Sequence, residues 1–210
     1  MRSGGSGAAG PYRGKRLVDL AVLVVVAVPA LAIGAVCAVA ITLTSEGAVF
    51  FRQERVGLDG RTFRVWKFRT MVTGDNPIIP DPDRITAVGR WLRRLSLDEL
   101  PQLLNVAEGT MSVVGPRPTL RYQVDRYTDR QRGRLAVRPG LTGLAQVRGR
   151  NALPWDERIE HDLDYVRTQS VRTDLAVLAA SVRVVLSGDG VEEHPVDDAI
   201  SREPDAEVPR

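Results

Sequence analysis

Between Leu20 and Ser45 the chain runs for 26 residues without a charge, and 13 of them are Val, Leu or Ile. At roughly −0.3 to −0.6 kcal/mol per such residue in mid-membrane, insertion is favoured by about 4–8 kcal/mol, which predicts a membrane helix in preference to a core helix. The run continues directly into Glu46-Gly47-Ala48-Val49-Phe50-Phe51 with no separate secreted domain after it, unlike a cleaved signal. As one straight helix it would reach about 39 Å, enough to cross a ~30 Å hydrocarbon layer. Pro29, the predicted helix break, leaves arms of nine and sixteen residues, about 13 and 24 Å, and neither spans alone. Flanking charge is symmetric, with a net +3 before the run and +3 over Glu46–Arg69, so the positive-inside rule finds no outer end. A re-entrant helical hairpin over residues 15–45, both ends cytoplasmic, is expected, with a spanning helix as the alternative.

Beyond it the pattern changes. Val49-Phe50-Phe51 and Thr62 to Phe68 have strand composition, and Val56-Gly57-Leu58-Asp59-Gly60 supplies turn residues between them, so a short β-hairpin is predicted. Thr73 to Asp83 reads as a loop. Ile85, Val88, Leu92 and Leu95 then recur at helical spacing, with Arg84, Arg90, Arg93 and Arg94 at other positions and Trp91 beside the stripe. That composition suits an interfacial amphipathic helix in a headgroup plane, or equally a surface helix packed on a core. Asp174 to Leu186 is another apolar helical run, a further candidate for membrane association. The expected fold class is α+β, mainly helical: a monotopic membrane protein with a flexible N-terminus at 1–14, the membrane helix at 15–45, a cytoplasmic domain at 46–190 and an acidic, disordered tail at 191–210.

Charge sharpens this division. The whole chain carries a formal +3, but residues 191–210 hold seven acids and two bases, a net −5, which leaves +8 on residues 1–190. A body this basic calls for an anionic partner: nucleic acid, anionic lipid or a phosphorylated small molecule. One cysteine and two histidines exclude an internal disulfide and a Cys/His zinc cluster, so chemistry falls to carboxylates, Arg/Lys or hydroxyls. Of the 29 basic residues only Lys15 and Lys67 are lysine, which singles out Lys67.

The chemistry candidates cluster between Lys67 and Asn151. Asp98 and Glu99 are adjacent acids where a helix begins, in Ser96-Leu97-Asp98-Glu99-Leu100-Pro101. A structural role accounts for them well, since Ser96 to Glu99 fits a capping box and Asp98 could itself be the cap. Lys67 and Arg69 alternate around Phe68, so on a strand they would share a side and could clamp phosphate. Arg117 stands between Pro116 and Pro118 in a stiff, extended segment, and Arg138 precedes Pro139 in a similar setting.

Five motifs, in order, carry a resemblance. Phe50-Phe51-Arg52-Gln53-Glu54-Arg55-Val56-Gly57, Lys67-Phe68-Arg69-Thr70-Met71, Ser96 to Leu103, Met111 to Pro118 and Val137 to Val147 are together similar to the bacterial sugar transferases, the small monotopic phosphoglycosyl transferases. The likeness runs from about Lys15 to Val191. It implies transfer of a sugar 1-phosphate from a UDP-sugar to polyprenyl phosphate with release of UMP, as the first membrane step of exopolysaccharide, capsule or glycoconjugate synthesis. It also implies a re-entrant membrane helix, Mg²⁺ as cofactor, and a place on the cytoplasmic face of the bacterial inner membrane, beside membrane lipids and downstream glycosyltransferases. Where the family often has Ser-Pro at the helix break, this chain has Val28-Pro29.

By the same resemblance Asp98 is the nucleophile of a ping-pong reaction and a metal ligand, and Glu99 assists attack by the lipid phosphate. Lys67, Arg69, Arg93, Arg117 and Arg138 are the expected phosphate-binding residues, with Arg94 beside Arg93 facing phosphate or lipid headgroup. Gln146, Arg150 and Asn151 are candidate sugar or nucleotide contacts. Asp162 and Asp174 match acidic family positions, where a cap or salt bridge explains each equally well. A nucleic-acid-binding protein would leave the Leu20–Ser45 run unexplained, and no nucleic-acid partner is expected. A non-enzymatic membrane scaffold for polysaccharide assembly is the alternative function, and it leaves the motif order unexplained.

Overall fold

The computed structural model describes residues 10–72, 84–149 and 153–187. The first nine residues, the whole of the expected loop at Thr73–Asp83 and the acidic tail lie outside them. In chain order the elements are α1 (Lys15–Thr44), a hairpin of β1 (Phe50–Val56) and β2 (Thr62–Phe68), α2 (Ala87–Arg94), a 3-10 turn (Leu97–Gln102), α3 (Leu103–Glu108) and β3 (Ser112–Val114). After these come α4 (Arg121–Asp125), α5 (Asp129–Arg132), a second 3-10 turn (Gly133–Ala136), β4 (Gly140–Thr142), α6 (Leu144–Arg148), α7 (Trp155–Thr168) and α8 (Val171–Ser187). Among the described residues the protein is mainly helical, with two small two-stranded sheets.

Where Pro29 suggested two arms, α1 is one uninterrupted helix of 30 residues. Proline removes the bond its N–H would have made one turn back, but the bonds on either side persist and the helical path continues. Among the described residues α1 is the one helix long and apolar enough to cross a membrane, and only 6% of its most apolar window is buried. That rules out a core helix. Leu17, Val24, Val25, Val28, Leu31, Val36 and Leu43 each stand 70–80% exposed on its open side. Its two ends both dock on the body. At the start, Lys15 and Asp19 are buried; near the end, Cys37 and Ile41 join a core cluster with Phe68 and Leu92.

The hairpin pairs from Phe50↔Phe68 to Val56↔Thr62, as strand composition and the Asp59-Gly60 turn predict. Both turn residues have positive φ, 55° and 75°. Side chains alternate between faces: the Phe50 ring stacks on Phe68 at 5.4 Å and meets Trp66 edge-on, with the Arg52 guanidinium 3.4 Å over the Trp66 ring. The opposite face carries Phe51, Gln53 and Arg55 against Lys67, Val65 and Phe63. Asn105 of α3, 1% exposed, locks β2 in place. Its Oδ1 accepts from Trp66 N at 3.0 Å and its Nδ2 donates to Arg64 O at 2.9 Å.

The sequence expectation of a basic amphipathic helix is met by α2, where Leu92 is buried and Trp91 is 63% exposed. Its cap is the Thr86 hydroxyl, which accepts from Gly89 N at 2.9 Å. Asp174 to Leu186 falls within α8. The parallel strands β3 and β4 cross through glycine: a Cβ on Gly140 would lie 2.1 Å from Gly115 N, so no larger residue fits the approach. Gly115 N donates to Thr142 O and Gly140 N to Pro116 O, both at 2.9 Å. That crossing sets where Pro116-Arg117-Pro118 leaves the sheet.

Asn105→Ala should destabilise the fold by about 2–3 kcal/mol, because the buried Trp66 N–H and Arg64 C=O lose their partner together. Urea unfolding in detergent measures this, and a loss within experimental error of zero would show that β2 is held by other means.

Candidate active site

The two adjacent acids sit in the first 3-10 turn, and their setting differs from the capping expectation. Ser96 adopts the left-handed conformation, φ 55°, and makes no side-chain cap bond. A residue in that conformation cannot present its side chain as an N-cap, which needs extended backbone. The acids are therefore free to point elsewhere. Asp98 is 9% exposed, and both meet cations that come from distant parts of the chain.

Glu99 is held on two sides. Lys67 Nζ, from β2, donates to Oε1 at 2.8 Å. Arg117 closes a fork on the same carboxylate, Nη2 to Oε1 at 2.5 Å and Nη1 to Oε2 at 3.1 Å. Asp98 has a looser ion-pair contact, Oδ2 to Lys67 Nζ at 3.7 Å. Burial pushes both carboxyls up. For Glu99 the charges and hydrogen bonds of Arg117 and Lys67 overcome burial and hold it well below the ordinary carboxylate range. For Asp98 burial prevails, helped by the neighbouring Glu99 charge and opposed by Lys67, Arg117 and Arg93, so its carboxyl lies above the ordinary value. Two adjacent acids thus have separate proton affinities, the usual condition for separate roles.

Of the predicted cations, the structure gathers Lys67, Arg117 and Arg93 about the acids. Arg93 Nε donates to Thr70 Oγ1 at 2.9 Å, while Gly89 on the same helix approaches so closely that a Cβ would sit 2.1 Å from Thr70 O. Arg117 keeps 47% of its side chain exposed while its guanidinium holds Glu99. Arg69 is engaged elsewhere. Lying past the last residue of β2, it donates to Glu46 O, Ser45 O (2.8 Å) and Ser45 Oγ (3.0 Å), closing the C-terminal end of α1. Strand alternation does not extend to it, so the expected Lys67/Arg69 clamp does not form. Arg138 Nε donates to Gly109 O at 2.7 Å, and Gln146 Nε2 to Leu141 O at 3.3 Å; neither is bonded to the acid pair. Arg150 and Asn151 lie outside the described residues. Asp162 pairs with Arg134, and Asp174 with Lys15 at 2.7 Å, so the salt-bridge explanation of each is the one realised.

Arg55 was not among the sequence candidates. Burial, and then the like charge of Arg117, hold its guanidinium down to about 10, against the opposing pull of Glu99 and Tyr122. It is thus a further cation in the electrostatic field of this site. Hairpin parity was the available signal: Phe51 pairs with Lys67, so Gln53 and Arg55 share that face.

The site is thus a buried acid pair clamped by lysine and arginine, with one acid saturated and the other in looser contact. A model of the bacterial sugar transferase family matches residues 11–188, and the chain belongs to that family. Over 148 residues it is 47% identical to an uncharacterized sugar transferase, EpsL, of Bacillus subtilis, covering 69% of this chain and 73% of that one. It is 41% identical over 181 residues to the UDP-glucose:undecaprenyl-phosphate glucose-1-phosphate transferase of Klebsiella pneumoniae, covering 80% of this chain and 39% of that protein. With the undecaprenyl-phosphate galactose phosphotransferase of Salmonella typhimurium the identity is 40% over 164 residues, 69% of this chain and 34% of the other. The chain therefore spans little more than a third of those two transferases.

Lys67→Met removes the strongest cationic pull on Asp98, so the Asp98 carboxyl should titrate at still higher pH than in the unaltered protein. A ¹³C NMR carboxyl titration in metal-free detergent solution reads this directly; a lower or unmoved titration point would contradict the electrostatic account.

Proposed function

We propose that this protein transfers a sugar 1-phosphate from a UDP-sugar to a polyprenyl phosphate, releasing UMP, through a covalent intermediate on Asp98. The observation that carries this reading is the division of labour in the acid pair: Glu99 is saturated by Lys67 and Arg117, whereas the ion-pair contact of Asp98 among the described residues is the looser one with Lys67 at 3.7 Å. In the first step an Asp98 oxygen attacks the β-phosphorus of the donor and the bond to the bridging oxygen breaks, so UMP leaves with that electron pair. In the second, a phosphate oxygen of the lipid attacks the same phosphorus, and Asp98 departs as a carboxylate. A covalent intermediate lets the soluble donor leave before the lipid acceptor reacts.

Lys67, Arg117 and Arg93 offset the negative charge that would otherwise repel a carboxylate from a diphosphate. Glu99 aims Lys67 and Arg117. A carboxylate whose two oxygens are already bonded by Lys67 and Arg117 is a poor acceptor for a further proton, and a phosphate monoester near neutral pH is already largely deprotonated, so the second attack needs no proton transfer to Glu99. This replaces the assisting role expected of Glu99 from the resemblance.

Magnesium fits the donor set in one way. Among the described residues no group of three or more His, Cys, Asp or Glu could hold a metal, and both Glu99 oxygens are occupied by cations. The ion would be held by Asp98 together with diphosphate oxygens, a common mode for this hard cation. When bound there it supplies further neutralisation of phosphate charge.

The open apolar side of α1 seats in the cytoplasmic leaflet of the inner membrane, with both ends of the helix on the cytoplasmic side. Support comes from its ends: both the Lys15–Asp19 and the Cys37–Ile41 turns pack on the same body, while the apolar side between and beyond them stays open. A helix crossing to the far side would carry one end away from that body. Trp91, Leu95 and Leu104, each 42% or more exposed, suit an interfacial position for α2 and the start of α3.

Two measurements test these statements. Asp98→Asn should abolish both turnover and covalent labelling by a UDP-sugar carrying ³²P at the β-phosphate; label that persists in this variant would overturn the nucleophile assignment. Single cysteines replacing Gly10 or Glu46 in a Cys37→Ala background should both stay protected from impermeant maleimide outside spheroplasts, and ready labelling of one alone would point to a spanning helix.

A further inference from the structure

Behind Arg117 lies a second buried ion pair that the transfer chemistry does not use. Arg134 and Asp162 are each 2% exposed, and Arg134 Nη2 bonds Asp162 Oδ2. The same Nη2 donates to the backbone carbonyl of Arg117 at 2.9 Å, and Nη1 donates to the Tyr127 hydroxyl. Tyr127 OH in turn donates to Thr119 Oγ1 at 3.1 Å, and Thr119 O accepts from Val56 N at 2.9 Å. The Tyr127 and Trp155 rings flank the Arg134 guanidinium at 5.6 and 5.7 Å. The Pro116-Arg117-Pro118-Thr119 segment is therefore gripped from inside at Arg117 and Thr119, while the Arg117 side chain reaches out to Glu99.

A buried ion pair is a poor source of stability, since hydrophobic residues of similar volume often serve as well or better. What an apolar replacement cannot supply here is a donor to the Arg117 carbonyl. We propose that Arg134 and Asp162 are positioning residues: Asp162 orients the Arg134 guanidinium, which fixes the Arg117 backbone so that its fork meets Glu99 and its exposed edge meets substrate phosphate. This rests on the reading of Arg117 as a phosphate-facing residue given above. Proline on either side of Arg117 stiffens the segment, so the Arg134 bond sets one orientation for the whole clamp.

The test is a paired replacement, Arg134→Met with Asp162→Leu, in the detergent-solubilised full chain, alone and combined with Arg117→Ala. The pair should keep a melting temperature close to that of the unaltered protein and lose about 10- to 100-fold in turnover, the scale of a small misplacement of a reacting group. Added to Arg117→Ala it should cost no more than about twofold further, because coupled residues are non-additive. Turnover unaffected by the pair, or a loss that multiplies in full with that of Arg117→Ala, would overturn the positioning role. If Arg117→Ala alone retains full turnover, the reading of Arg117 itself fails, and this inference fails with it. Should the pair not fold, Arg134→Lys keeps the charge opposite Asp162 but lacks the planar fork needed to serve Asp162, Tyr127 and the Arg117 carbonyl together; the same non-additive loss is expected, and full turnover in Arg134→Lys would count against the proposal.

Discussion

Two carboxylates on successive residues of one buried turn cannot both carry charge unless cations come to meet them. Lys67 and Arg117 answer that constraint from 32 and 18 residues away, and much of the body serves to bring them. The hairpin delivers Lys67, and Asn105 fixes β2 to the helix that follows the acid turn. The glycine crossing of β3 and β4 sets the exit direction of the Arg117 segment, with Arg134 behind it. Because both cations converge on Glu99, Asp98 is left with the weaker contact and the raised proton affinity. The asymmetry between neighbours follows from geometry.

The membrane helix is joined to this arrangement by polar contacts. Asp19 Oδ1 accepts from Ser112 Oγ at 2.8 Å and from Val113 N at 3.0 Å. Lys15 bridges Asp19 and Asp174, and Asp174 also accepts from Tyr12 and Tyr165. The same Tyr165 hydroxyl lies 3.0 Å from Val114 O, the alternative acceptor for its single proton. The start of an otherwise apolar helix is thus bonded to the strand that leads into Gly115 and Arg117, so α1 and the Arg117 segment share one framework. At its other end Arg69 donates to the carbonyls of Ser45 and Glu46, the two residues that follow α1.

Much of this was legible in the chain. Uncharged length marked α1, strand composition with a Gly-rich turn marked the hairpin, and apolar spacing marked α2. Family motifs singled out Asp98, Glu99, Lys67, Arg93 and Arg117, five residues that do converge. What misled was local reasoning carried past its range. Alternation placed Arg69 beside Lys67, but the strand ends at Phe68. The Ser-x-x-Glu pattern suggested a cap, but Ser96 takes a left-handed conformation. Pro29 suggested a break, but one missing bond did not interrupt the helix. Arg55 was passed over because its share in the site depends on the hairpin's register and on where Arg117 comes to rest.

Amino-acid order alone determined the membrane segment, the basic body and the residue types able to do phosphate chemistry, because hydrophobic length, charge and side-chain chemistry are properties each residue carries with it. Which acid is saturated and which holds a looser contact, which arginines meet the acid pair and which close a helix or pair with another buried acid, only the tertiary structure decided. Those are matters of distance and burial between residues far apart in the chain, and charge interactions change steeply with both.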